Sequence, residues 1–564
     1  MTPPIRVGLQ SSILRVANGR TGQMLQLIVP IMLGMLSLCL GQDDNWDLKN
    51  YHLYNPFALL NGKIGFDLAP AQWQSYFNPT LDLLYYGLTK TMPAPFAGFL
   101  MGVLHGLNFL LVLAIARLAI PTGATGIQIG TPTMLALAAI ASPGFLAQIG
   151  NSMGDNMTSL FVLGSLSLVL RQVPSSITGP APSVIGITVA GLLMGLGCGL
   201  KLTNGTYALA LCAALLVVPG AISLRLYLAF TFGIGVLIGI GISAGYWFAL
   251  MYQTFGNPLF PQLNNHFMAP LAAQIGIGDT GWLPKNWSEK LLWPFIFAIE
   301  PRRVSELTLR LWMWPLLYLG MLTLGAKALF AARTRVPSGA TSTPLYRQRL
   351  VLAFFVLAYL IWLNLFGIYR YMIALELLMP LVVWLLAERL LPSRWSKQAA
   401  VAVIIMGAIA CLPRVSWGHA NWTRVAFDAD IPVFDNPRQS MVFTVHGDPP
   451  LGWLATRFPA ELAFVSISSG FPESPAYSAK LRQMAALRKG PLFALMQGDR
   501  ADPAAPRTAA DMLRAREADR LVVERASELV NQYGMALNPT SCKLYQARVG
   551  TNRWNYQLCM LKLR

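Results

Sequence analysis

Residues 24–52 read MLQLIVPIMLGMLSLCLGQDDNWDLKNYH, and the change of character at Gly41 decides how the rest of the chain is read. An uncharged apolar run ends there, and Asp43, Asp44 and Asp47 follow within five residues. Apolar runs of this kind cross a hydrocarbon layer of roughly 30 Å. A carboxylate at the membrane face is costly to desolvate, so the three aspartates need solvent, a cationic partner or a chemical task.

The same apolar signature recurs down the chain. About eleven stretches carry it, near 24–41, 96–117, 130–150, 156–171, 184–200, 206–218, 226–252, 311–329, 350–366, 372–387 and 400–412. The 564 residues are 54% hydrophobic and 12% charged, with a mean hydropathy of +0.49, whereas soluble domains carry about twice that share of charge. This composition excludes a disordered chain, a disulfide-dense secreted module and a soluble basic nucleic-acid binder. The expected fold is a polytopic α-helical membrane protein of about eleven transmembrane helices over 1–412, followed by a soluble α/β domain over 413–564. The tail holds 19 Lys/Arg and 13 Asp/Glu, against 24 and 12 in everything before it.

The net charge of +18 is accounted for by topology. Arg6, Arg15 and Arg20 precede the first stretch, no small-residue cleavage pattern follows it, and an uncleaved span with a cytoplasmic amino terminus is expected. Cytoplasmic loops hold an excess of Lys and Arg. The loops that fall inside carry Arg117, Arg171 and Arg225, then Lys327, Arg333, Arg335, Arg347 and Arg349, then Arg389, Arg394 and Lys397, with Glu388 as their one acid. Eleven crossings place the tail on the external, extracytoplasmic side of the membrane. Cysteine usage agrees. Cys39, Cys198, Cys212 and Cys411 lie in or beside apolar stretches as small buried residues. Cys542 and Cys559 flank two strand-like runs around Gly-Thr-Asn and are expected to form a disulfide closing the last hairpin.

Two external segments, about 42–95 and 253–310, are too long to be mere turns, and ordered loops of this length are usually functional. The first is dense in Trp, Tyr and Phe and suggests short amphipathic helices at the interface; both are expected to fold onto the outer face of the bundle. Of the twelve acidic residues before position 413, eleven fall on the external side and five are in the first loop. Asp44 or Asn45 could cap the first juxtamembrane helix; the functional reading is a carboxylate that removes a proton or holds a divalent metal. Asp155, in GNSMGDNMTSLF, is favoured at a helix amino terminus by the dipole. If folding brings it to Asp44, the two would share one site and could hold a metal.

Cations on that face are few. Lys201 in GCGLKLTNGTY and Arg370 in IYRYMIALELL either snorkel to the interface or hold an anionic lipid phosphate. Arg302 and Arg303 are weaker candidates of the same kind, and Arg370 could pair with Glu376. Tyr51 and His52 in the NYH run, with His266 in the second loop, complete the candidate substrate-binding set. No HExxH, CxxC, phosphate-loop or dinucleotide-type glycine motif occurs.

QDDNWD directly after the first span, with GDNMTSLF at the start of the fourth, resembles the membrane glycosyltransferases of the GT-C fold. The run WDLKNYHLYNPFALLNGK, together with GNPLFPQLN and IYRYMIALELL, is similar to a bacterial group within that class. The resemblance covers the membrane part and leaves the tail unmatched. The class's best-known members carry Asp-Glu or Glu-Asp where this chain has Asp43-Asp44, so the base could be either of these.

The resemblance implies transfer of a sugar from a polyprenyl-phosphate donor to a glycan, lipid or protein acceptor on the external face, with inversion. Asp44 or Asp43 would accept the hydroxyl proton, Asp47 and Asp155 would orient the acceptor or a metal, and Lys201 and Arg370 would offset charge on the departing phosphate. The expected partners are that donor, the acceptor and membrane lipid, with no nucleic acid; a divalent metal ion is the one cofactor this leaves open. The tail would bind acceptor glycan or merely cap the active face. A transporter or flippase of lipid-linked sugars is the rival, although no internal repeat is evident and the charges gather at helix ends. A non-catalytic envelope-assembly subunit is a third.

Overall fold

A computed structural model describes residues 20–120, 130–174, 181–334, 346–410, 415–499 and 506–564. Arg6, Arg15, Arg335 and Cys411 lie outside these residues. Every one of the eleven apolar stretches carries helix. Among the described residues five helices are long and apolar enough to cross a membrane: Ala94–Ala119, Ile222–Phe255, Met313–Phe330, Tyr346–Leu365 and Tyr369–Leu390.

The others fall short for visible reasons. The stretch at 130–150 is divided by Pro143 into Gly130–Ile140 and Pro143–Ala147, since proline cannot donate to a preceding carbonyl. Asp155–Gln172 carries buried Thr158, Ser159, Ser165 and Ser167, which lower its hydropathy but find partners inside the bundle. Ser165 Oγ, for example, donates to the Ala190 carbonyl at 2.7 Å.

The helices Val184–Leu200 and Ile222–Phe255 approach each other through glycines. A Cβ on Gly191 or Gly195 would lie 2.1 Å from the carbonyl oxygen of Phe232 or Val236. On the facing helix, a Cβ on Gly235 or Gly239 would lie 2.2 and 2.3 Å from those of Thr188 and Leu192. Small residues spaced by four let helix backbones meet inside a bilayer.

The tail is a mixed sheet flanked by helices. Its strands are β3 (Phe427–Ala429), β4 (Met441–Val445), β5 (Ala463–Ile467), β6 (Leu492–Gln497), β7 (Met535–Leu537), β8 (Lys543–Val549) and β9 (Asn552–Leu563). They run in the order β3-β8-β9-β6-β4-β5, with β7 beside β9. The strand-like MVFTVHG and LAFVSIS runs become the parallel pair β4 and β5, and the last helix spans Ala509–Asn531. Cys542 and Cys559 form the expected disulfide across the β8–β9 hairpin.

The external loops pack differently from expectation. They join the bundle to the tail instead of lying on the bundle alone. β1 (Gln42–Asp43) pairs antiparallel with β2 (His419–Ala420). Leu68 adds to the edge of β5, donating to the Phe464 carbonyl and accepting from the Ser466 amide at 2.9 Å each. That edge would otherwise present unpaired backbone groups. Lys63 and Asp67, 3.1 Å apart and buried, hold the insertion: Asp67 accepts from the Phe464 amide and the Tyr54 hydroxyl, and Lys63 donates to the Leu462 and Ala460 carbonyls. Burial pushes the Asp67 carboxyl up to about 6, with Lys63 opposing. One apolar core accordingly combines Tyr54, Phe57 and Met101 with Val442 and Phe464. A second combines Trp247 and Phe255 with Phe443 and Val465.

Gly195→Ala and Gly239→Ala are each expected to destabilise the bundle by about 1–3 kcal/mol, because the new methyl meets backbone that cannot rotate away. Unfolding midpoints in detergent check this, with Gly241→Ala as a control, since a Cβ there meets nothing within 4 Å.

Candidate active site

The three aspartates after the first span go to three different places. Asp43 is buried and accepts from the amide and side chain of Asn45 at 3.1 and 2.6 Å, and from the amide and hydroxyl of Ser152 at 2.7 and 2.8 Å. Asp44 turns toward the tail, 3.0 Å from Lys49 and accepting from the Asn552 side chain at 2.7 Å. Asp47 turns the other way and pairs with Arg370. Asn45 caps the turn they share, its side-chain oxygen accepting from the Leu48 amide at 2.7 Å. The backbone then widens into a π-helical turn over Leu48–His52, a departure from regular helix that is frequent at functional sites. That turn presents Tyr51 and His52.

Asp155 occupies the first position of the helix Asp155–Gln172, entered through Gly154 at φ 84°. Its carboxylate meets Lys201 at 2.6 Å, and Lys201 also donates to the Met153 carbonyl at 2.7 Å. Lys201 ends the helix Val184–Leu200, and Arg370 lies in the turn Tyr369–Met372 ahead of the helix Ile373–Leu390. Both cations stand 5.4 Å from the centroid of the Tyr371 ring, so two positive charges gather at one place.

Burial favours the neutral forms of Asp47 and Lys201, and their pairings resist it. Burial pushes the Asp47 carboxyl up, but Arg370 foremost, with His52 and Lys201, brings it below the usual carboxylate range. Burial lowers Lys201, with Asp155 opposing.

The cations line a cavity of about 260 Å³ between the helix ends and both long loops. Asp47 and Asp155 stand behind them, outside the lining. His52 and Asp82 form part of the wall, His52 Nδ1 lying 2.7 Å from Asp82 Oδ1. Burial raises the Asp82 carboxyl, with His52 opposing. Trp73, Phe77, Trp247, Phe248 and Phe366 supply aromatic faces. Three buried polar atoms at this place have no hydrogen-bond partner: His52 Nε2, Asp155 Oδ2 and Arg370 Nε.

The structure therefore gathers Tyr51, His52, Lys201 and Arg370, with Asp47 and Asp155 behind, and leaves out Asp43, Asp44 and His266. Asp43 is consumed by backbone and side-chain donors of its own turn and the 152 segment. Asp44 is held by Lys49 and Asn552. His266 is exposed in the short helix Asn264–Phe267. Asp44 and Asp155 have different partners, Lys49 with Asn552 for the one and Lys201 for the other. Among the described residues no three His, Cys, Asp or Glu side chains are grouped to hold an ion.

Arg370 does not pair with Glu376 either. That carboxylate is buried in the bundle and accepts from Ser142, the Gly144 and Phe145 amides and the Tyr369 hydroxyl. Arg303 pairs with Glu289 at 3.1 Å, away from the cavity lining. Asp82 was not singled out by sequence. The available signal was an acid opening a helix, Asp82–Thr91, inside the aromatic loop.

Fold and cavity together define a polytopic membrane-embedded protein whose polar, cation-bearing pocket lies where the helix ends meet an extramembrane layer. The order of the membrane parts matches the GT-C resemblance: a first apolar helix, an acidic loop and a helical bundle, here followed by an α/β tail that the resemblance leaves unmatched. Two crystal structures of ArnT from Cupriavidus metallidurans, one apo and one bound to undecaprenyl phosphate, align over 96% of this chain and 98% of theirs. Identities are 15% and 14% and TM-scores 0.43 and 0.41, a likeness too distant to assign any residue a role. No family model and no curated protein matches the chain.

Asp47→Asn and Arg370→Gln each strand a buried charge and are expected to cost about 3–5 kcal/mol of stability. The double variant should cost well under the two together. Denaturant unfolding of the four proteins measures the coupling, and strict additivity would show that the pair is not one unit.

Proposed function

We propose that the protein transfers a sugar from a polyprenyl-phosphate-linked donor to a hydroxyl acceptor, on the external face of the membrane. The observation that carries this reading is the pair of cations, Lys201 and Arg370, set against one ring in a cavity whose wall combines aromatic and apolar side chains with the polar groups of His52, Asp82 and Asp279. Arginine supplies a planar fork for phosphate oxygens and lysine a point charge. Leu202 and Leu365 line the same cavity and are exposed, which offers a prenyl tail apolar surface in its wall. The rings suit the apolar face of a sugar.

In the transfer, the acceptor oxygen bonds to the anomeric carbon while the bond from that carbon to the phosphate oxygen breaks. The electron pair leaves on the phosphate. Phosphate is a good leaving group, so the protein's main tasks are to stabilise that charge and to take the acceptor proton. A bound phosphate competes with Asp47 and Asp155 for the cations' donors. In this reading the two carboxylates position Arg370 and Lys201 and keep them charged in a buried place. The excess of Lys and Arg in the opposite loops and the Cys542–Cys559 disulfide support the external side. Acceptor and sugar are left open by the cavity's chemistry.

Purified protein in vesicles, given labelled polyprenyl-phosphate sugars and membrane glycan acceptors, is expected to transfer the label. Lys201→Met and Arg370→Gln should each weaken polyprenyl-phosphate binding by about 10- to 100-fold, the loss of one charge-assisted contact of about 1.5–3 kcal/mol. Movement of intact donor across the bilayer without cleavage would instead establish a flippase.

A further inference from the structure

We infer that His52, held by Asp82, is the group that takes the acceptor proton; the inference rests on the transfer reaction proposed above. The argument begins with which titratable side chains line the cavity. The carboxylates behind the cations, Asp47 and Asp155, do not, and both are neutralised by Arg370 and Lys201. Of the potential bases in the lining, Asp279 is exposed and accepts from the Trp282 indole at 2.7 Å. That leaves His52 and Asp82, both buried and 2.7 Å apart.

Their geometry separates the roles. An ionised carboxylate only accepts, so the contact places a proton on His52 Nδ1 and leaves Nε2 with a lone pair. Nε2 is buried and has no partner. A buried polar atom left unpaired is costly, and one in the wall of a cavity is satisfied by what enters it. Asp82 fixes the tautomer and stabilises the imidazolium once formed, an arrangement in which a carboxylate behind a histidine makes it a competent base. The Tyr51 ring lies tilted beside the imidazole, with centroids 4.1 Å apart, and limits its rotation.

The step balances. The acceptor O–H bond breaks, its proton goes to Nε2, the oxygen bonds to the anomeric carbon, and the sugar–phosphate bond sends its electrons to the phosphate between Lys201 and Arg370. The charged groups that act on His52 are Asp82 on its helix, Asp47 on the same turn, and the two cations across the cavity. Asp82 acts through His52 and is a positioning residue.

The test is single-turnover transfer from saturating labelled donor between pH 5 and 9, for wild type, His52→Gln and Asp82→Asn, with polyprenyl-phosphate binding measured alongside. Wild type should lose rate as pH falls, along a limb in the range where imidazoles titrate. His52→Gln should lose about 10²- to 10⁴-fold in rate and the limb with it, while binding polyprenyl phosphate within about threefold of wild type, a difference below 1 kcal/mol. Asp82→Asn should keep a limb but move it to lower pH. A flat wild-type profile, or a His52→Gln enzyme that keeps wild-type rate, would overturn the dyad and leave the transferase standing. Binding without transfer from any donor by wild type would overturn the transferase itself. If His52→Gln fails to bind polyprenyl phosphate, the wild-type limb and the direction of its shift in Asp82→Asn decide.

Discussion

A guanidinium buried at the end of a helical bundle has to find a carboxylate, and Arg370 finds Asp47 across 323 positions of sequence. Desolvating either alone would cost several kcal/mol, so the pairing fixes where the first external loop sits on the bundle. The neighbouring aspartates extend the same constraint. Asp43 ties the loop to Ser152, just ahead of the helix that carries Asp155, and Asp44 ties it to Asn552 at the start of the last strand. A segment of five residues thus fastens the bundle to the tail from three directions, and the cavity lies in the angle between them.

This arrangement explains why the tail is not an independent cap. Leu68 completes the edge of β5, the Lys63–Asp67 pair locks it there, and Trp46 donates to Asp448 at 3.1 Å. The loop that bears His52 is held between two larger bodies, and its side chains are placed by both. A catalytic histidine on a free loop would lose the orientation that gives it its value.

Much of the architecture is legible in the sequence because it follows from periodicity and local chemistry. Apolar runs foretell the eleven helical stretches, the Cys542–Cys559 spacing the disulfide, and β-branched and aromatic runs the β4 and β5 strands. Lys201, Arg370 and Asp155 stand out because charges are so scarce before position 413. What sequence does not carry is which partner each charge takes. Asp44 and Asp47 differ by three positions, almost one helical turn, yet the cap at Asn45 and the widened turn after it send them to opposite sides. Asp43 and Asp44 are each held by partners outside the cavity lining, a placement that local sequence does not encode. Asp82 escaped notice because its meaning comes from His52, 30 residues away, and the joint core of loops and tail was hidden because each amphipathic loop could equally have met the bundle.

The most direct measurement is an experimental structure of the protein with a polyprenyl-phosphate sugar bound. Its phosphate should lie within hydrogen-bonding reach of both Lys201 and Arg370, with the sugar between that phosphate and His52. A phosphate held away from both cations, in the tail or elsewhere on the bundle, would contradict the assignment of this cavity as the donor site.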